Sequence, residues 1–229
     1  MRARLSVLFA VVMMLLTVAG CQPSTTFAPP PDFRSPTIRP GIVQPPKPAV
    51  AVIPGPARGI GQGFGPMVSG GTLKPKAPTR AWKYIIVHHS DTPVGCAARF
   101  DSAHRARGWE MLGYDFVIGN GTESRDGLIE VGPRWTHQLI GAHTGTPDHT
   151  FNEYGIGICL VGNFDLTRPT RAQMDSLARL TAYFMKTYGI PANHVLGHRD
   201  CKPTGCPGRY MDINQVRKLA QAFLLSGSY

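Results

Sequence analysis

Residues 155–162 run Gly155-Ile156-Gly157-Ile158-Cys159-Leu160-Val161-Gly162. β-branched and apolar side chains bounded and interrupted by glycine predict a central strand whose glycines admit close packing. Upstream, Lys83-Tyr84-Ile85-Ile86-Val87-His88 is a second apolar run that predicts a buried strand. Arg99 to Trp109 has helical composition and stops at Gly113. Tyr114-Asp115-Phe116-Val117-Ile118 alternates like a strand, a glycine-rich turn spans Gly119 to Gly127, and Leu128 to Val131 pairs back. Downstream, Thr170 with Gln173 three residues on forms a capping box. The helix that follows sets Met174, Leu177, Thr181, Phe184, Met185 and Tyr188 on one face, and Gly189 with Pro191 ends it. His194 to Gly197 is a short strand. Asp212 and Gln215 cap a last helix with Ile213, Val216, Leu219, Phe223 and Leu224 on its apolar face. Strands alternating with helices predict an α/β fold, one domain with a central mixed β-sheet flanked by helices.

That pattern occupies residues 80–229 of the 229 in the chain, and the other residues differ in kind. Residues 21–79 hold 14 of the 21 prolines, whereas all eight histidines lie in 80–229. The middle segment lacks the periodic apolar content of a second domain, so one core of ordinary size is expected. The formal charge of +10 divides as +2, +5 and +3 over residues 1–20, 21–79 and 80–229. A nucleic-acid-binding domain concentrates its positive charge on the folded part, so nucleic acid is excluded as a partner. A monomer is expected.

Residues 1–20 begin with Arg2 and Arg4 and continue as an apolar run from Leu5 to Ala19. As a helix that run reaches ~22 Å, short of the ~30 Å hydrocarbon core, and it matches an export signal rather than a membrane span. Val18-Ala19-Gly20-Cys21 resembles the lipobox of bacterial lipoproteins. The resemblance implies a lipoprotein signal peptide over 1–20, cleavage before Cys21, and lipid on its thiol. The protein is then expected outside the cytoplasm, anchored to a membrane. Gln22 rather than aspartate after the cysteine favours the outer membrane in a cell that has one. Residues 21–79 are rich in Pro and Gly and predict a disordered tether.

The chemistry gathers at three places. His88 ends one strand, His198 follows another, and Cys206 lies eight residues beyond His198 in Gly197-His198-Arg199-Asp200-Cys201-Lys202-Pro203-Thr204-Gly205-Cys206-Pro207-Gly208. Two imidazoles and one thiolate suffice for a zinc ion with an open fourth position. By spacing alone a disulfide between Cys201 and Cys206 in an oxidising compartment is an equal alternative.

Residues 83–210 resemble the zinc amidase family shared by phage amidases, bacterial N-acetylmuramoyl-L-alanine amidases and animal peptidoglycan recognition proteins. Ile86-Val87-His88-His89-Ser90, Gly113-Tyr114-Asp115-Phe116, Gly141-Ala142-His143-Thr144, Gly155-Ile156-Gly157-Ile158 and the His198-to-Gly208 segment carry the resemblance, in the family's order. It implies Zn2+ bound by His88, His198 and Cys206. It implies peptidoglycan or a muropeptide as substrate, cut at the amide between N-acetylmuramic acid and L-alanine. Tyr114 matches a tyrosine whose hydroxyl faces the reacting water and substrate. Thr204 matches a position held by lysine in phage enzymes and commonly by threonine in catalytic recognition proteins. His143, at the end of a Gly141-Ala142-His143 run that reads as a strand, matches a histidine lining the substrate cleft, with Asn152 a weaker candidate beside it.

Two departures narrow the subgroup. The branch that recycles anhydro-muropeptides has aspartate where Cys206 stands and glutamate where Cys159 stands. The present residues point to the phage and recognition-protein branch, and they leave the proton shuttle unassigned. The competing class is a non-catalytic peptidoglycan-binding lipoprotein, whose members typically lack the cysteine ligand. His89 points to the opposite sheet face from His88 by strand alternation. Cys96 and Cys201 form a disulfide only if their Cα atoms lie within ~7 Å.

Overall fold

The structure is a computed structural model, and it describes residues 67–75 and 77–229. The export signal, Cys21 and nearly all of the tether lie outside the described residues.

A six-stranded mixed sheet organises the fold, in the order β1-β4-β3-β5-β2-β6. The strands are β1 (Val68–Ser69), β2 (Tyr84–His89), β3 (Phe116–Ile118), β4 (Ile129–Val131), β5 (Gly155–Leu160) and β6 (Val195–Gly197). β3, β5, β2 and β6 run parallel, β4 is antiparallel to β3, and β1 is parallel to β4. β5 is central and buried throughout, as its apolar run predicts. The helices are α1 (Ala97–Ala106), α2 (Pro133–His137), α3 (Thr150–Tyr154), α4 (Arg171–Tyr188), α5 (His198–Cys201) and α6 (Ile213–Ser226), with a 3-10 turn at Ala192–His194.

One face of the sheet is an apolar core. Ile85 and Val87 of β2 and Ile156, Ile158 and Leu160 of β5 pack with Met174, Leu177 and Phe184 of α4 and Val216, Ala220 and Phe223 of α6. α4 begins with the expected capping box: the Thr170 hydroxyl accepts from Gln173 N, and the Gln173 amide oxygen accepts from Thr170 N. The Gln173 amide nitrogen also donates to the carbonyls of Ile118 and Val161, tying the helix start to the sheet. Gly189 ends α4 in the left-handed region. At α6 Asp212 alone caps, accepting from Asn214 N and Gln215 N. On the opposite face α1 brings Phe100 against Leu112, Val117, Cys159 and Val161, a much smaller cluster.

Three boundaries differ from the sequence expectation. The tether was expected to run to Thr79, yet Val68–Ser69 adds the edge strand, Leu73 is buried, and Trp135 Nε1 donates to Thr72 O at 3.3 Å. A strand this short has no periodicity to find. The helix expected over 99–109 is Ala97–Ala106, because Asp101 turns back to accept from Leu112 N at 2.7 Å. Residues 141–143, expected to be a strand, are a loop.

Candidate metal centre

Side chains alternate across a strand, so β2 sends Ile85, Val87 and His89 to the apolar core and Ile86 and His88 to the other face. His88 pairs in register with Cys159 of β5. β6 lies on the other side of β2, with Gly197 opposite Val87, so His198, the first residue of α5, emerges next to His88. Their ring centroids are 4.5 Å apart. The loop after α5 returns Cys206 to the same place, with its Sγ 3.7 Å from His88 Nδ1 and accepting from His89 N at 3.4 Å. Arg199 fastens that loop: its backbone N–H donates to Cys206 O at 2.8 Å, and its guanidinium donates to the carbonyls of Gly208 and Met211.

One ligand atom each from His88, His198 and Cys206 lies within 4.8 Å of the others. His198 Nε2 is buried without a hydrogen-bond partner. An orphaned buried nitrogen is costly unless something binds it. Burial pushes the His88 imidazole well below its ordinary value and His198 down to about 4, so both rings are neutral, as metal ligation requires. Burial pushes the Cys206 thiol up to about 12, so its ionisation at neutral pH calls for a neighbouring cation. Two neutral nitrogens and one sulfur fit zinc in donor type and number. Among the described residues all four cysteines are free, so neither Cys201–Cys206 nor Cys96–Cys201 is a disulfide here.

The remaining expected site residues fall into different positions. The Tyr114 ring lies 5.3 Å from that of His88, and its hydroxyl is hydrogen-bonded to the Cys159 thiol. Burial holds that phenol well above its ordinary value, so it stays a donor. Thr204 is exposed on the loop, its hydroxyl accepting from Cys206 N at 3.3 Å. His143 and Asn152, expected to line the substrate cleft, are both buried. The His143 side chain is fully buried behind His88, with Nδ1 3.1 Å from His88 Nε2. Asn152 is buried and its amide oxygen accepts from His143 N and Thr144 N, clamping the loop that carries His143. The reason is tertiary: the loop folds inward over β5, whose glycines leave room for it. His89 behaves as alternation requires, with Nδ1 accepting from Phe164 N on the core side.

Sequence reasoning missed Asp115. Its carboxylate is fully buried, Oδ2 accepts from Gly157 N at 2.8 Å, and Oδ1 has no partner. Burial raises it to about 7 against the Gly157 N–H and Arg134, which lower it. The signal was present as a carboxylate abutting the apolar run Phe116-Val117-Ile118.

With this geometry in place, the family is decided by a match of residues 78–209 to the N-acetylmuramoyl-L-alanine amidase family. The chain belongs to that family. The match spans every element that carries the three ligands, from before β2 to just beyond Cys206. Peptidoglycan-recognition protein LB of Drosophila melanogaster is 33% identical over 136 residues, 55% of this chain and 54% of its own length. The pig N-acetylmuramoyl-L-alanine amidase is 31% identical over 138 residues, 55% of this chain and 21% of its own. The chain thus spans about half of the first relative and a fifth of the second. Among solved structures, N-acetylmuramoyl-L-alanine amidase LysC from Clostridium intestinale URNW is 28% identical with a TM-score of 0.54, covering 66% of this chain and 94% of that one.

Proposed function

We propose that this protein hydrolyses peptidoglycan at the amide between N-acetylmuramic acid and L-alanine, at a zinc ion held by His88, His198 and Cys206. The observation that carries the reading is that one ligand atom each from His88, His198 and Cys206 lies within 4.8 Å of the others. Family membership and the likeness to proteins named as amidases support the choice of bond. When bound, zinc supplies a Lewis acid and lowers the pKa of a coordinated water toward about 7.

The chain's own residues supply the rest. His88 and His198 hold neutral nitrogens toward the ion, and Cys206 supplies the single negative charge. Tyr114 stays protonated, and on substrate binding its single O–H turns from the Cys159 thiol to the oxygen of the scissile amide as charge builds there, a contribution of ~3 kcal/mol for one such donor. Thr204 orders the Cys206 loop through Cys206 N and stands exposed at the entrance, where its hydroxyl can meet the substrate. The leader and Val18-Ala19-Gly20-Cys21 support lipid attachment at Cys21, setting the amidase on a membrane facing its polymer.

The test is digestion of purified sacculi by the zinc-loaded chain, with mass analysis of the products. Free stem peptides beginning with L-alanine are expected, alongside intact glycan. Retention of the protein on sacculi with no release would favour the non-catalytic binding lipoprotein instead.

A further inference from the structure

The side of His88 that faces away from Cys206 is as closely built as the ligand set itself. Its Nε2 meets His143 Nδ1 at 3.1 Å, and His143 Nε2 lies 3.3 Å from Gly155 O. A carbonyl oxygen only accepts, so the proton of a neutral His143 sits on Nε2. Nδ1 is then an acceptor, and only a His88 protonated on Nε2 can hydrogen-bond to it, whereas the other neutral tautomer sets two lone pairs facing each other at 3.1 Å. The Thr144 hydroxyl, 3.0 Å from His143 Nδ1, is a second donor to the same nitrogen. A neutral His88 that donates from Nε2 carries no proton on Nδ1, the nitrogen turned to Cys206 Sγ.

Two glycines make the slot for the His143 ring. A Cβ on Gly157 would stand 2.3 Å from His143 Cδ2, and one on Gly141 would stand 2.6 Å from it. Asn152 holds the backbone on either side of the ring's attachment. Asp115 Oδ2 stands 4.0 Å from His143 Nε2 and is committed to Gly157 N, closing the far end.

Resting on the metal-centre reading above, we propose that His143 is a positioning residue that fixes the tautomer of His88, presenting Nδ1 to the metal as a free lone pair. Outer partners of ligating histidines raise metal affinity by orienting the ring and setting its tautomer.

Zinc affinity of the purified chain, measured by competition with a chromophoric chelator, tests this without reference to turnover. His143→Leu should weaken binding ~10–100-fold. His143→Asn, whose amide oxygen can accept at the place of Nδ1, should recover part of the loss. Gly157→Ala should also weaken zinc binding while leaving every polar group intact, by pushing the ring out of its slot. Binding by folded His143→Leu within twofold of wild type would overturn the proposal. Should the variants fail to fold, 15N spectra of the wild-type chain still decide it: His88 protonated on Nε2 is expected, and His88 protonated on Nδ1 without metal sinks the idea. A wild-type chain that binds no zinc would defeat the metal-centre reading instead, with the metal-free His88 tautomer still deciding the present one.

Discussion

β5 shows two different surfaces to the two sides of the sheet. Toward α4 and α6 it turns Ile156, Ile158 and Leu160, all fully buried and packed against helical apolar side chains. Toward the metal centre it turns Gly155, Gly157 and Cys159, small residues that leave space for a buried imidazole and a phenol. One side is filled to gain stability by removing apolar area from water. The other gives up that packing and fills the space with His88, His143, Asp115 and Tyr114. Several of these groups are destabilised in their charged forms by burial. Stability and chemistry are thus assigned to opposite faces of the same strands. Substitutions on the two faces should therefore fail in different measurements.

The largest expected effect is on the site face. Cys206→Ser should strip the zinc and lower amide cleavage by ~10³-fold or more, since several kcal/mol of charge stabilisation go with the metal. The urea midpoint of the metal-free protein should barely move, because serine nearly matches the shape. Zinc content, product release and urea melts on one preparation check all three, and retained cleavage would shift the third ligand away from Cys206.

Phe184→Ala is the converse. Phe184 is fully buried and in ring contact with Phe116 and Trp135, so its loss should cost about 3–5 kcal/mol of stability. Zinc bound per folded chain should stay the same. A fall in metal affinity of the folded fraction would show that the two faces are coupled through the sheet.

Acid should weaken the site face selectively. Burial holds His104, His143 and His198 at about 4, 3 and 4, below the ordinary 6.5. Between those values the unfolded chain binds the extra protons, so stability is complete above pH 6.5 and is lost as pH falls toward 3–4. Asp115, raised to about 7, has the opposite sign, because there the folded chain holds the extra proton. Three imidazoles outweigh one carboxyl, so the urea midpoint of the metal-free chain should drop from pH 7 to pH 5. A midpoint that rises over that interval would contradict these assignments.

The smallest effect belongs to the edge of the core face. Thr170→Ala removes the hydroxyl that accepts from Gln173 N and should cost ~1 kcal/mol in a urea melt, with zinc affinity unchanged.

Much of this division was legible in the linear chain. Continuous apolar runs located β2 and β5, the Thr170–Gln173 pair with Gly189 bounded α4, and the quoted motifs picked out His88, His198 and Cys206, which the structure brings together. The short edge strand at Val68 was not legible, because two residues carry no period and their neighbours read as tether. His143 and Asn152 were located but not oriented.

The sequence by itself determined which residue types stand at which strand positions, since alternation across a pleated sheet follows from local backbone geometry. That suffices to put His88 and His89 on opposite faces and to make β5 small on one side and branched on the other. Only the tertiary structure decided what enters the space beside the glycines. The loop at Gly141 to Thr144 contributes a ring that meets a strand residue 55 positions earlier, and its direction depends on hydrogen bonds to Asn152 and Gly155. Those contacts join segments distant in the chain, where local propensity carries no information and closing the loop onto the sheet sets the geometry.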